Sequence, residues 1–327
     1  MTSASSLGRR PFLQAGLAAS AGVIVQQSLP LTVAAETPAV DLKKHPYIDA
    51  HSHIWSPDTA KWPLANGKTK QDLDPPSFTP EELLKLAHAV GVGRVVLIQH
   101  TLYHGYDNTY LLDAAKAHPG VFAVTGMVND TKPEPGKAMR ELHKKGVKAF
   151  RITSRPGIGA SGGEKWLSGS GMTEMWKMAA ETGQVMACLI DAKDLAGVDA
   201  MCQKNPGTTV VIDHFARIGV DGTVHEEDLK QLCELAKHKK TFVKLSAYYA
   251  LGKKKPPYLD LTSMIRRLLD AFTPDRCMWA SDAPYQTQGD NTYQASIELV
   301  RDKLDFLSAG DKEKLLTKTA EGVYFST

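Results

Sequence analysis

Residues 184–213 read QVMACLIDAKDLAGVDAMCQKNPGTTVVID and contain one complete repeat of the fold. The runs 184–190 and 208–213 are short and apolar, which is typical of strands, and the longer stretch 194–204 between them is amphipathic with a helical period. A strand, a helix and a second strand in this order predict two parallel strands joined by a crossover helix.

The same alternation continues along the chain on both sides of this repeat. Eight candidate strands can be counted, at 47–51, 94–99, 121–127, 147–152, 184–190, 208–213, 241–245 and 276–281. Candidate helices lie near 79–90, 106–118, 134–145, 173–182, 194–204, 225–237, 258–272 and 293–304, with a further helix near 310–323. Eight strand–helix units predict a (β/α)8 TIM barrel. A doubly wound open sheet is the alternative, but no Gly-rich phosphate-binding fingerprint follows the first strand.

Composition and charge limit the classes of protein that remain. The 327 residues are 43% hydrophobic and 23% charged, as in an ordinary globular chain. A barrel of about 250 residues plus extensions accounts for this length, so we assign residues 36–327 to one barrel domain. The net charge of +3 gives no reason to expect a nucleic-acid partner. The four cysteines form no C-x-x-C pair, which argues against a zinc ribbon or a redox dithiol.

The N-terminal segment resembles a twin-arginine export signal. Arg9 and Arg10 are followed at once by Phe-Leu, residues 15–25 are apolar and small, and residues 33–35 offer a cleavage site. A fraying helix or a membrane anchor is the alternative, but residues 26–30 interrupt the apolar run well short of the roughly 20 residues that a span needs. We therefore expect residues 1–35 to be a signal peptide that the Tat export machinery recognises, and the mature protein to be periplasmic without stable membrane insertion.

Candidate metal ligands and catalytic groups follow three of the predicted strands. His51 and His53 close the first strand, His214 follows the sixth, and Asp282 follows the eighth. Side chains at the carboxyl ends of barrel strands converge on one mouth even when they are distant in sequence. Imidazoles with a carboxylate suit Zn²⁺, Mn²⁺ or Fe²⁺. The pattern predicts one divalent metal ion, preferably zinc, held by His51, His53 and Asp282.

Three stretches carry a resemblance to a known family. YIDAHSHIW with the nearby KWPL, VVIDHFAR and MWASDAPY are similar to the motifs of the amidohydrolase-2 family of metal-dependent barrels, and the resemblance covers most of residues 45–325. Trp55, residues 62–64 and the Asp-His pair of the sixth strand resemble the lactonase branch. The resemblance implies hydrolysis of a lactone of a sugar acid or a dicarboxylic acid.

Two departures from the wider family bear on the metal. The decarboxylase branch carries a metal-binding histidine on its fifth strand, whereas 184–190 contains none. The fourth-strand lysine of binuclear relatives has no counterpart at the carboxyl end of 147–152 either. These departures favour the lactonase branch and predict at most one tightly held metal ion. Some members of that branch work without a metal, so a metal-free site is an alternative.

The predicted mechanism assigns a role to each group at the mouth. Asp282 acts as general base toward a water molecule, and His214 stabilises the developing oxyanion. Arginines after strands four and six could bind an anionic small-molecule substrate, and the tyrosines after the seventh strand are further substrate-binding candidates. These residues are Arg151, Arg155, Arg217, Tyr248 and Tyr249, while His100 and His104 are weaker candidates.

Alternatives remain open at this stage. A decarboxylase or hydratase on the same barrel and a non-catalytic periplasmic ligand-binding barrel are the rival functions. The Gly/Ser-rich stretch 157–171 follows the fourth strand and is either a mobile loop over the substrate or a plain surface loop. The sequence also leaves open whether copies of the chain form a homo-oligomer.

Overall fold

The computed structural model describes residues 40–154 and 166–326. Within these residues eight parallel strands form one sheet in sequence order. The strands are β1 (Tyr47–Ser52), β2 (Val92–Ile98), β3 (Phe122–Gly126), β4 (Val147–Thr153), β5 (Val185–Leu189), β6 (Thr209–Ile212), β7 (Thr241–Leu245) and β8 (Cys277–Trp279). Each prediction of a strand is confirmed, with bounds that differ by a few residues.

The sheet closes between its first and last strands. Ser52 at the end of β1 forms a parallel bridge with Ala283 beyond β8. The backbone N–H of Asp282 donates to the carbonyl of His51 at 2.8 Å, and the N–H of His53 donates to the carbonyl of Ala283 at 2.8 Å. This closure completes the predicted (β/α)8 barrel and brings two of the predicted site segments side by side.

Helices separate successive strands within the described residues. They are α1 (Pro80–Ala89), α2 (Thr101–His104), α3 (Thr109–Ala117), α4 (Pro135–Lys144), α5 (Ser170–Thr182), α6 (Leu195–Lys204), α7 (Glu226–Glu234), α8 (Thr262–Phe272), α9 (Tyr293–Glu298) and α10 (Ala309–Glu313). The start of α1 shows how sequence sets such a bound, because Thr79 and Glu82 cap each other reciprocally.

Several predicted helices are shorter than their sequence pattern. The stretch 106–118 is represented by α3 alone, with α2 as a separate turn before it. The stretches 293–304 and 310–323 begin as α9 and α10 and continue as π-helical turns, Leu299–Lys303 and Lys314–Lys318. Amphipathic periodicity does not distinguish an α-helical turn from a π-helical one, since both place an apolar face toward the barrel.

Two apolar layers hold the barrel together. The larger layer packs the helices against the outer face of the strands. The smaller layer includes Ile48, Val96 and Met278 of the strands together with Ala320 and Tyr324 of the C-terminal segment. Tyr324 is 1% exposed, so the C-terminal segment packs against strand residues as part of the core.

Three predictions concern residues that the structure does not describe, and they stay predictions. They are the signal peptide at 1–35, its boundary with the barrel domain, and the loop in the Gly/Ser-rich stretch 157–171, most of which is not described. Among the described residues, no helix is long and apolar enough to cross a membrane.

Candidate active site

Barrel closure places Asp282 directly between the two histidines of the first strand. Its Oδ1 lies 3.4 Å from Nε2 of His51 and 3.4 Å from Nε2 of His53. The register of β1 against β2 shifts between Asp49 and Ser52, and Asp49 accepts hydrogen bonds from Ser281 and Tyr293. The first strand therefore supplies the two histidines to the site. Its Asp49 holds β1 against the segment that carries Asp282.

A left-handed turn directs His214 toward the same carboxylate. His214, Phe215, Ala216 and Arg217 all have φ between 50° and 58°, a conformation that costs a non-glycine residue roughly 1–2 kcal/mol. In this turn the Nδ1 of His214 lies 2.7 Å from the Ser246 hydroxyl, and its Nε2 lies 3.8 Å from Oδ2 of Asp282. Runs of strained backbone of this kind concentrate at functional sites.

The protonation states of these groups follow from burial and mutual contact. Burial lowers the pKa of His214 to about 4 and that of His51 well below its ordinary range, so both rings are neutral at pH 7. Burial alone would raise the pKa of Asp282, but the neighbouring histidines, His214 foremost, hold it well below its ordinary value. The site thus presents an ionised carboxylate among neutral imidazoles.

The donors and acceptors of this group fit a divalent metal ion. Nδ1 of His53 lies 2.9 Å from the carbonyl oxygen of Ile98, which can only accept, so Nδ1 carries a proton and, in the neutral ring, the Nε2 lone pair faces Asp282. Oδ1 of Asp282 and Nε2 of His51 are buried and have no hydrogen-bond partner among the described residues. Nε2 of His53 and Oδ1 of Asp282 are both acceptors in this state and lie 3.4 Å apart. A divalent cation between them would satisfy both atoms.

The structure enlarges the predicted set of ligands. One ligand atom from each of His51, His214 and Asp282 lies within 4.8 Å of the others. Nε2 of His53 also lies 3.4 Å from that carboxylate oxygen, Oδ1 of Asp282. The three histidines and the aspartate therefore form one group, in which His214 is placed either to bind a metal or to face the substrate.

A buried ion pair that the sequence analysis did not identify lies beneath this group. Lys244 of β7 and Asp213 are each 0% exposed, with Lys244 Nζ 3.1 Å from Asp213 Oδ1. Nζ also lies 3.3 Å from Nδ1 of His51. Burial would raise the pKa of Asp213, but Lys244 holds it well below its ordinary range. The lysine in the apolar run TFVKL could have indicated this pair. Lysine is almost never fully buried unless it is paired, so a lysine inside a buried strand predicts a buried acidic partner.

A cavity of about 210 Å³ opens above Asp282. Arg151 and Arg217, two of the candidate substrate-binding residues, line it, and so does the candidate Tyr249, whose hydroxyl donates to Asp282 Oδ2 at 2.7 Å. The Arg217 guanidinium is held by Asp191, with Nε 2.8 Å from Oδ1. The cavity thus has a cationic wall above an ionised carboxylate.

One predicted substrate-binding residue, Tyr248, is not brought to this cavity. Tyr248 is 0% exposed, donates its hydroxyl to the carbonyl of Leu245 and packs against Phe215 and Tyr258. Adjacent residues diverge here because a short 3-10 helix follows β7, so Tyr248 packs in the core while Tyr249 faces the cavity. Arg155 lies outside the described residues.

Further aromatic side chains line the cavity. Tyr285 and His100 both line the cavity, and the Tyr285 hydroxyl lies 2.6 Å from Nε2 of His100. His100 was only a weak candidate in the sequence, and Tyr285 was not a candidate although it ends the motif MWASDAPY. The other weak candidate, His104, is buried and contacts the ring of Tyr110.

The fold and this group of residues define a hydrolase-type barrel with its active site at the carboxyl ends of the strands. An amidohydrolase family model matches residues 48–325. The chain therefore belongs to the amidohydrolase family.

Individual relatives agree with this assignment. The chain is 28% identical to a 4-sulfomuconolactone hydrolase of Hydrogenophaga intermedia, with 72% of this chain and 74% of the relative covered. It is 26% identical to an L-fucono-1,5-lactonase of Burkholderia ambifaria, with 72% and 80% covered. A crystal structure of a Burkholderia multivorans amidohydrolase with bound zinc superimposes with a TM-score of 0.72 at 20% identity, over 86% of this chain and 99% of that one.

Proposed function

We propose that this protein hydrolyses an anionic lactone to the corresponding hydroxy acid. The observation that carries the proposal is the buried Asp282 carboxylate in a cavity that Arg151 and Arg217 also line. The relatives named as lactone hydrolases support the same reaction class.

The proposed mechanism uses Asp282 as the general base. Its Oδ1 is free of hydrogen-bond partners among the described residues, whereas Oδ2 is fixed by the Tyr249 hydroxyl. Oδ1 takes a proton from water as the water oxygen bonds to the lactone carbonyl carbon. The ring C–O bond then breaks, and the proton passes to the departing alkoxide.

Histidine and arginine side chains supply the remaining functions. His214 is neutral, and when the Ser246 hydroxyl donates to its Nδ1, its Nε2–H is free to stabilise the oxyanion. Arg151 and Arg217 bind the substrate carboxylate and orient the ring. His51, His53 and Asp282 would hold a divalent ion, zinc by preference for this ligand set, which supplies Lewis-acid polarisation when bound.

A panel of lactones in weakly buffered pH indicator tests the function. Lactones that keep a free carboxylate, such as those of dicarboxylic acids, should release one proton per turnover, and neutral lactones of the same ring size, including those of monobasic sugar acids, should react far more slowly. Asp282→Asn, purified in the same way, is the control for contaminating esterases. Release of CO₂ would favour a decarboxylase instead, and tight binding without turnover would favour a ligand-binding barrel.

Elemental analysis tests the metal. We expect about one divalent ion per chain, and treatment with a chelator followed by Zn²⁺ should remove and restore turnover. Turnover that persists in metal-free protein would instead mean that the histidines contact the substrate directly.

We also propose export to the periplasm by the twin-arginine route. The basis is the sequence of residues 6–35. Replacing Arg9 and Arg10 by lysine should leave precursor in the cytoplasm, whereas unchanged periplasmic activity would contradict the route.

A further inference from the structure

The three histidines of the site differ in what holds their second ring nitrogen. Nδ1 of His53 faces a backbone carbonyl, which fixes its tautomer, and Nδ1 of His214 faces a hydroxyl. Nδ1 of His51 lies instead between a cation and an anion. Lys244 Nζ is 3.3 Å away, and Oδ1 of Asp213 is 3.5 Å away.

These two neighbours demand opposite tautomers of the ring. A lysine ammonium can only donate, so a bond from Lys244 requires a lone pair on Nδ1 and places the His51 proton on Nε2. A carboxylate can only accept, so a bond to Asp213 requires the proton on Nδ1 and leaves a lone pair on Nε2. Only the second tautomer of a neutral His51 can bind a metal through Nε2.

Neither neighbour can turn away from the ring. Lys244 and Asp213 are fully buried and paired with each other at 3.1 Å. The Tyr324 ring also lies near Lys244, with Nζ 5.4 Å from the ring centroid. Burial and pairing keep both charges next to Nδ1 of His51.

We propose that the Lys244–Asp213 pair selects the tautomer of His51 and thereby sets the affinity of the site for a divalent cation. With Lys244 donating, the Nε2–H of His51 faces Oδ1 of Asp282, 3.4 Å away, and a metal ion must reverse this tautomer before it can bind His51, which weakens its binding. When Nδ1 donates to Asp213, Nε2 becomes a ligand. Lys244 and Asp213 are therefore positioning residues. The inference rests on the proposed metal site and is independent of the lactone substrate.

The proposal predicts opposite effects from the two members of one pair. Lys244→Met removes the donor and a like charge, so Zn²⁺ and Mn²⁺ should bind about 10–100-fold more tightly. Asp213→Asn removes the charged acceptor, so affinity should fall by a similar factor. A role in packing alone would make both variants bind metal more weakly.

Chelator competition on metal-free full-length protein measures these affinities. Lys237→Met is the matched control, since it removes one lysine charge from an exposed pair with Asp199, and its affinity should not change. Lys244→Met leaves the Arg151 guanidinium near Asp213, at 3.6 Å. The double variant Lys244→Met/Asp213→Asn restores charge balance, and its affinity should lie between those of the single variants. Weaker binding by Lys244→Met, or no binding by any variant, would overturn the proposal.

Nitrogen NMR of metal-free protein gives a readout that needs neither metal nor turnover. His51 of the wild type, assigned by loss of its signals in His51→Asn, should carry its proton on Nε2, and Lys244→Met should move it to Nδ1. A wild-type ring protonated on Nδ1 would overturn the inference even if Lys244→Met does not fold. An inactive lactone panel with the expected tautomer and affinities would instead refute only the proposed reaction.

Discussion

The mouth and the core of the barrel are built from the same eight strands, but they differ in chemistry. At the mouth, His214 and Asp282 have left-handed backbone, and buried polar atoms face one another without hydrogen bonds among the described residues. In the core, Ala320 and Tyr324 of the C-terminal segment pack against apolar strand residues such as Ile48. The mouth is strained and reactive, whereas the core favours stability, so substitutions in the two regions should affect different measurements.

The largest effect is expected at the mouth, from Asp282→Asn. This change keeps the shape and removes the base, so kcat should fall by about 10²–10⁴. The control is Asp199→Asn, which removes a carboxylate from an ion pair with Lys237 outside the site. Steady-state kinetics with and without added Zn²⁺ decide the role of Asp282. Rescue by excess metal would make it chiefly a ligand, and near-normal kcat without added metal would refute both roles.

A second effect at the mouth is a dependence of stability on pH. The pKa of His214 is about 4 in the folded protein against an ordinary value of 6.5, so between these pH values the unfolded chain binds a proton that the folded chain does not. Neutral His214 therefore contributes to the free energy of unfolding. This contribution is complete above about pH 6.5, and the free energy of unfolding falls by about 3 kcal/mol as the pH is lowered toward 4.

Denaturant unfolding of metal-free protein at several pH values measures this loss. The slope of the free energy of unfolding against pH should become flatter in His214→Asn. It should be unchanged in His225→Asn, a substitution at an exposed position. If both variants keep the wild-type slope, His214 is not the group that titrates.

A smaller effect separates binding from chemistry within the mouth. Arg217→Met should raise KM for an anionic lactone about 10–100-fold with a smaller change in kcat, because it removes a charged hydrogen bond to the substrate. Arg140→Met, from an exposed pair with Glu181, is the matched control. An unchanged KM would show that Arg217 serves only to pair with Asp191.

The smallest effect is expected in the core, from Tyr324→Phe. The Tyr324 hydroxyl is buried and has no hydrogen-bond partner among the described residues, so removing it should be neutral or stabilising by up to about 1 kcal/mol. Tyr258→Phe is the contrasting variant, since its hydroxyl bonds to Gln286 and Asn291, and it should destabilise by about 1 kcal/mol. A clear loss of melting temperature in Tyr324→Phe would reveal a partner such as an internal water.

The sequence was sufficient for the barrel because each strand–helix unit carries its own period. The short apolar runs before His214 and Asp282 can each be recognised as a strand without reference to the rest of the chain. A parallel barrel then places the carboxyl ends of these strands at one mouth. Boundaries were less accurate where a pattern fits two geometries, as in 293–304, where an α-helix passes into a π-helical turn.

Local sequence pattern was enough to predict the barrel and to place His51, His53, His214 and Asp282 at or just after the ends of their strands. Other features required the folded chain: how the atoms of these residues face one another, which of two adjacent tyrosines lines the cavity, and the contact of Lys244 in one strand with Asp213 after another, next to His51. Ring tautomers, ion pairs and the direction of a side chain after a strand depend on contacts between segments far apart in the chain, and local sequence carries no record of those contacts.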